Sequence, residues 1–175
     1  MTETTRPDAG RTASDPSRVP ERTAAGGSAG SAAQTGLIVV GVDGSKESRI
    51  ALRWACAEAR VRGCVVRAVS VWHLYPLAPP ERVGASPWWF TADPEEATRA
   101  YLGEVVAEVG ADFPGVQIDQ EVLSGHAAEQ LIGLSATADV LVIGATGSGG
   151  FVGMRLGSVA RTVLEHALCT VVVAR

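Results

Sequence analysis

The stretch Val140–Gly153, VLVIGATGSGGFVG, decides how the rest of the chain is read. VLVIG is a continuous apolar run rich in β-branched residues, as expected of a strand buried on both faces of a parallel sheet. The glycines at 144, 147 and 150 then fit GxxGxxG, a spacing that some dinucleotide-binding loops use. Spacing alone does not make such a site. The Rossmann arrangement sets the pyrophosphate on a helix that the loop opens at once, and a later strand supplies an acid for the ribose. Here the loop follows the fourth predicted strand instead of the first, and the next strand, TVVVAR, reaches Arg175 without an acid. NAD is therefore set aside. A P-loop is excluded as well, because GxxxxGK[ST] occurs nowhere and GSK at Gly44–Lys46 lacks the upstream glycine.

Upstream of this stretch, apolar runs alternate with helical patterns. LIVVGVD (Leu37–Asp43) reads as the first strand. A helix follows, with Ser45 as cap, Glu47 at its positive end, Gly63 as terminator, and Ile50, Trp54, Ala57 and Val61 as the apolar stripe. VVRAVSVWH (Val65–His73) is a second strand, and the proline- and glycine-rich segment after it is a long loop. A second helix starts at Asp93, with Pro94 in its first turn and Leu102, Val105, Val106 and Val109 as its buried stripe. VQIDQEVLSG, HAAEQLIGLSAT, ADVLVIG, GSVARTVLEHAL and TVVVAR complete a βαβαβαβαβ order. Alternation of this kind predicts an α/β fold, a five-stranded, mostly parallel sheet with helices on both faces, of flavodoxin or Rossmann-like type. Ligands of such sheets sit beyond the strands' carboxyl ends where strand order reverses, which points to Asp43–Ser45 and to Gly144–Gly157.

Composition narrows the function classes. A length of 175 residues suits one domain and is too short for a nucleotide domain plus a separate substrate domain. A net charge of -4 with no dense Lys/Arg cluster argues against nucleic acid, and no apolar run approaches the roughly 20 residues of a membrane helix. A soluble protein is expected. Cys56, Cys64 and Cys169 lie in apolar contexts at no metal-ligand spacing, which predicts a reduced, cytoplasmic core. His73, His126 and His166 form no pair at metal spacing, so no metal site is expected. Residues 1–35 lack apolar periodicity and are expected to form a disordered tail ahead of one domain over 36–175.

A second pattern fits the glycine loop better: Gly144-x2-Gly147-x9-Gly157-Ser158, with Ser158 opening the last helix. Gly144 and Gly147 let backbone approach a ligand and permit positive φ, so that amide N–H groups can converge on phosphate oxygens. Gly157 and Ser158 set N–H groups and a hydroxyl at a helix N-terminus, where the dipole favours an anion. Asp43 would repel a phosphate, and an acceptor there suits a base amino group or a ribose hydroxyl. With VVGVDGSKES, ALRWACAEA, ADVLVIGATG, GGFVGMRLGSVARTVLEHA and the closing VVVAR, this pattern resembles the ATP-binding branch of the universal stress protein family over Leu37–Arg175. The resemblance implies that Asp43 and the backbone near Gly41 and Val71 hold adenine. It places Ile143 and Gly144 near the ribose, and Gly147, Gly157, Ser158 and Val159 on the phosphates of ATP, with or without Mg2+. Two departures stand out: GATGSGGFVGMR offers only Arg155 where relatives carry more basic residues, and Thr170 replaces a usual proline.

The resemblance also implies a homodimer paired through the C-terminal strand, whose unpaired β-branched edge would otherwise invite aggregation. Trp88, Trp89 and Phe90 in the long loop are read as loop anchors or as a lid or partner surface. His126, at a predicted helix start, is a partly exposed turn residue. No catalytic residue is assigned, since the site offers one acid and one arginine, short of the cations and carboxylates that efficient phosphoryl transfer uses. The expectation is a stress-response nucleotide-binding regulator acting on an unknown downstream protein. The alternative is a dimeric scaffold of the same fold that holds no nucleotide.

Overall fold

A computed structural model describes residues 36–73, 93–148 and 155–175. The readings for the 1–35 tail, for Trp88, Trp89 and Phe90, and for Gly150 fall outside these residues.

The chain runs β1 (Leu37–Gly41), α1 (Lys46–Arg62), β2 (Val65–Trp72), α2 (Pro94–Gly110), β3 (Ile118–Ser124), α3 (Ala127–Ser135), β4 (Val140–Gly144), α4 (Ser158–His166) and β5 (Thr170–Ala174). The expected order is observed, and the caps explain the boundaries. Ser45 accepts from the Ser48 N–H at the start of α1, and Gly63 ends it in the left-handed conformation, φ 68°, donating to the Ala59 carbonyl. Asp93 caps α2 by accepting from the Glu95 N–H, with Pro94 in the first turn.

The strands form one sheet in the order β3-β2-β1-β4-β5. Every neighbouring pair is parallel, in registers that include Leu37↔Val65, Ile38↔Val140, Val66↔Ile118 and Val140↔Thr170. Because side chains alternate along a strand, β1 serves two cores. Ile38, Val40 and Val42 pack with α1 and α2, whereas Val39 joins Val69, Leu141 and Ile143 in a core that also holds Leu131 of α3 and Ala160 and Val163 of α4. The chain builds outward from β1 to β3, then returns to place β4 on the other side of β1. The connections leaving β1 and β4 therefore diverge and open a crevice at the carboxyl edge. Among the described residues, no helix is long and apolar enough to cross a membrane.

The expected stripe of α2 is the buried one, since Leu102, Val105, Val106 and Val109 are all buried. The stripe of α1 needs correction. Its buried residues are Ser48, Ala51, Leu52, Ala55, Cys56 and Ala59, while Ile50 and Trp54 are half-buried at the core's flank and Val61 is 80% exposed. Small residues at 51, 55 and 59 let the helix lie close to the sheet. That turns the neighbouring row of larger side chains, about 100° round the helix, away from it. Cys56 lies in this core, and burial pushes its thiol pKa up to about 11 despite the opposing pull of Arg53.

Candidate functional site

Asp43 follows β1 at the crevice, where the Val42 N–H still donates to the Val69 carbonyl of β2 at 2.8 Å. One carboxylate oxygen of Asp43 accepts from the Ser45 N–H at 3.1 Å and from the Ser45 hydroxyl at 2.7 Å. The other accepts from the Ser148 N–H, 105 residues away, at 2.9 Å. Burial would raise the carboxyl pKa, but the Ser45 hydroxyl, the Ser148 and Ser45 N–H groups and the Ser48 hydroxyl outweigh it and hold it below the ordinary 3.8. The group is therefore an anion at neutral pH. A carboxylate has about four acceptor positions, and most of those of Asp43 are taken by its own chain.

The glycine loop is built differently from the expected cradle. None of Gly144, Gly147 and Gly157 has positive φ, so their use is space and not dihedral freedom. A Cβ on Gly144 would lie 2.9 Å from Glu47 Cβ and 3.1 Å from backbone atoms of Glu47 and Ser48, so the start of α1 rests directly on this residue. A Cβ on Gly147 would meet the Asp43 carboxylate at 2.6 Å. The Ala145 N–H donates to the Ala174 carbonyl of β5 and the Gly157 N–H to the Ala145 carbonyl, each at 2.7 Å. Gly157 thus caps α4 with its own N–H already engaged, which corrects the expectation that this N–H is offered to a phosphate. The first helical hydrogen bond runs from the Arg161 N–H to the Gly157 carbonyl. Ser158, Val159 and Ala160 therefore present their N–H groups at the positive end of the helix. Ser158 is not the cap, and its exposed hydroxyl makes no hydrogen bond among the described residues.

A parallel sheet reversing between β1 and β4, with an acid after one strand and a glycine loop leading to a serine-headed helix after the other, narrows the possible relatives. The family model described as the universal stress protein family matches residues 36–175. The chain belongs to the universal stress protein family. It is 35% identical over 138 residues to a universal stress protein of Mycolicibacterium smegmatis, covering 79% of this chain and 45% of that one. It is 34% identical over 139 residues to one from Mycobacterium tuberculosis, covering 79% and 43%. This chain thus spans less than half the length of these curated relatives. Solved structures share the fold: the universal stress protein UspA of Lactobacillus plantarum has a TM-score of 0.63 at 22% identity, covering 82% of this chain and all of that one. A universal stress protein in complex with cAMP has a TM-score of 0.59 at 20% identity, covering 80% and 96%. One from Archaeoglobus fulgidus in complex with dAMP has a TM-score of 0.53 at 24% identity, covering 81% and 99%.

The remaining expected site residues of this universal stress protein domain divide by what they can offer. Ile143 is buried in the α3/α4 core, so only its backbone can face a ligand. Val71 and Val159 are half-buried against the same core, and Gly41 leaves little room, since a Cβ there would stand 3.2 Å from Leu131. Several residues at this edge escaped the sequence reading. The buried hydroxyl of Tyr101, from α2, has no hydrogen-bond partner among the described residues and would lie 3.2 Å from a Cβ on Gly44. Glu47, Ala145, Thr146, Arg155 and Arg175 line one cavity of about 210 Å³. His73 and His126, unpaired by sequence spacing, bring their rings to 4.6 Å because the β2–β3 register sets Trp72 beside Ser124. Among the described residues, no group of three or more His, Cys, Asp or Glu side chains could hold a metal ion.

Proposed function

We propose that this universal stress protein binds an adenine nucleotide, ATP first, at the β1/β4 crevice and acts as a cytoplasmic, homodimeric regulator in a stress response, with 36–175 as its binding domain. The observation that carries the reading is the pairing of an anionic Asp43 on one wall with the N–H groups of Ser158 and Val159 and the Ser158 hydroxyl, which has no partner among the described residues, on the other. The acid suits an adenine amino group or a ribose hydroxyl, and the helix start suits phosphate. Gly41, Val71, Ile143 and Gly144 supply backbone along the adenosine side, with Gly147 and Gly157 keeping the loop clear of side chains. Mg2+ would arrive on the phosphate oxygens, since the Asp43 carboxylate is largely taken up by its own chain and Glu47 is the single acid lining the neighbouring cavity. Solved relatives in complex with cAMP and dAMP support an adenine ligand. The dimer reading rests on β5, which pairs with β4 on one side only, and on Leu164 and Leu168 beside it, 47% and 74% exposed.

The scaffold alternative is favoured by one observation: Asp43 already accepts three donors from its own chain, so its carboxylate is largely satisfied without a ligand. Purification without added nucleotide, mass identification of any small molecule released on denaturation, and an ATP titration of thermal stability separate the two. Binding predicts adenine nucleotide in the extract or about 2.7 kcal/mol of stabilisation at a hundredfold excess over Kd. An empty extract and a melting curve indifferent to millimolar ATP would sink it. Light scattering or sedimentation of the same preparation tests the dimer.

A further inference from the structure

No two histidines of the chain stand at metal-ligand spacing, yet the fold brings two of them together at the carboxyl edge of the sheet. His73 follows β2 and His126 precedes α3. The β2–β3 register sets Trp72 beside Ser124, and the Gly125 N–H donates back to the Trp72 carbonyl at 3.0 Å. Gly125 has φ 116°, which glycine adopts without a Cβ clash, and this turns the chain across the end of β2. Gln130 holds the same turn from the helix side, its Nε2 donating to the Ser124 carbonyl at 3.1 Å. The imidazole rings of His73 and His126 therefore meet at 4.6 Å between centroids, tilted by 34°. Both residues are exposed. His126 occupies the N-cap position of α3, but its side chain makes no capping hydrogen bond, so capping is not its use. Neutral imidazole is a ligand for copper, nickel and zinc. Two imidazole nitrogens on one ion, each bound at about 2.0–2.1 Å, hold their ring centroids roughly 4.5–5 Å apart. The His73–His126 separation falls in that range. Each ring keeps its second nitrogen for an outer hydrogen bond. A cation at a helix start works against the dipole, and Glu129 in the first turn of α3 offsets it. Because the backbone already holds the two rings side by side, the second imidazole acts at high effective concentration. A lone exposed histidine such as His166 on α4 lacks that gain.

We infer that His73 and His126 form a two-imidazole site for a late first-row divalent ion, of the Cu2+ or Zn2+ kind, with water in its other coordination positions. The site does not rest on the nucleotide reading. Cu2+ is the probe, since it binds nitrogen ligands most tightly in this series. The full chain, without nucleotide or chelator, is titrated with Cu2+ by calorimetry at neutral pH and examined by electron paramagnetic resonance at one equivalent. Wild type is compared with His73→Ala, His126→Asn and His166→Ala. Asparagine is a good N-cap, so His126→Asn keeps the start of α3, and an unchanged metal-free melting curve checks that each variant folds. Wild type should bind Cu2+ with the signature of two nitrogen ligands. His73→Ala and His126→Asn should each weaken binding by about tenfold or more and remove one nitrogen from the spectrum. His166→Ala should leave both readings unchanged. Equal Cu2+ affinity in wild type and His126→Asn, or a single nitrogen ligand in the wild-type spectrum, would overturn the site. Loss of Cu2+ on His166→Ala alone would place the ion on α4 and overturn it as well.

Discussion

The turn from β1 into α1 and the loop from β4 into α4 meet at one crevice, yet the first is tied by neighbours in sequence and the second by residues far away. In the first, Asp43, Ser45 and Ser48 bond one another within five residues, and the helix cap is part of the same network. In the second, Ala145 is held by β5 and Ser148 by Asp43, 105 residues upstream. The turn can therefore form as soon as α1 does, while the loop's shape depends on the finished sheet. A ligand that changes the protein's behaviour has more to act on in the loop.

Breaking the contact between the two regions should give the largest effect. Gly144→Val forces a branched side chain into the backbone of Glu47 and Ser48, and should destabilise the domain by about 3 kcal/mol in chemical denaturation. A loss below about 0.5 kcal/mol would mean that α1 does not rest on the strand end. Asp43→Ala removes the acceptor shared by both regions. About 2 kcal/mol should go, with faster hydrogen exchange at the Ser148 amide and with ATP-linked stabilisation abolished. Unchanged exchange at Ser148 would show that the long-range bond is not what holds the loop.

Acidity tests the same link without mutation. The folded-state pKa of Asp43 is depressed, so its contribution is fully present above the unfolded value, about 4, and is lost as pH falls through the lower folded value. Asp43→Asn should therefore flatten part of the decline in stability on acidification below pH 4, and identical acid profiles for the two proteins would contradict the depression. The smallest effect belongs to Ser158, whose hydroxyl has no hydrogen-bond partner among the described residues. Ser158→Ala should change stability by no more than about 0.5 kcal/mol while weakening ATP several-fold in direct titration. If stability falls and ATP affinity does not, the hydroxyl serves the fold.

What could be read in advance depended on how local the cause was. The element order, the Ser45 and Asp93 caps, the Gly63 stop and the buried face of α2 all follow from interactions spanning four residues or fewer, and these were legible. So was the nearness of Asp43 to the loop that follows β4, because alternating strands and helices restrict where a chain reversal can fall. The α1 stripe was misread because periodicity weighs large side chains, and this helix buries its small ones. The use of Gly144 and Gly157 was misread because a glycine's spacing does not say whether a ligand, a neighbouring helix or a carbonyl occupies the space beside it.

Sequence alone thus determined the α/β class and the family, since burial patterns, caps and motif residues are written along a short length of chain. Tertiary structure alone brought Ser148 to Asp43, Tyr101 to Gly44, His73 to His126, and Arg155 and Arg175 into one cleft. Each of those contacts is fixed by strand order and register, and by which helix covers which face. These are properties of how the elements pack together, and no window along the chain encodes them.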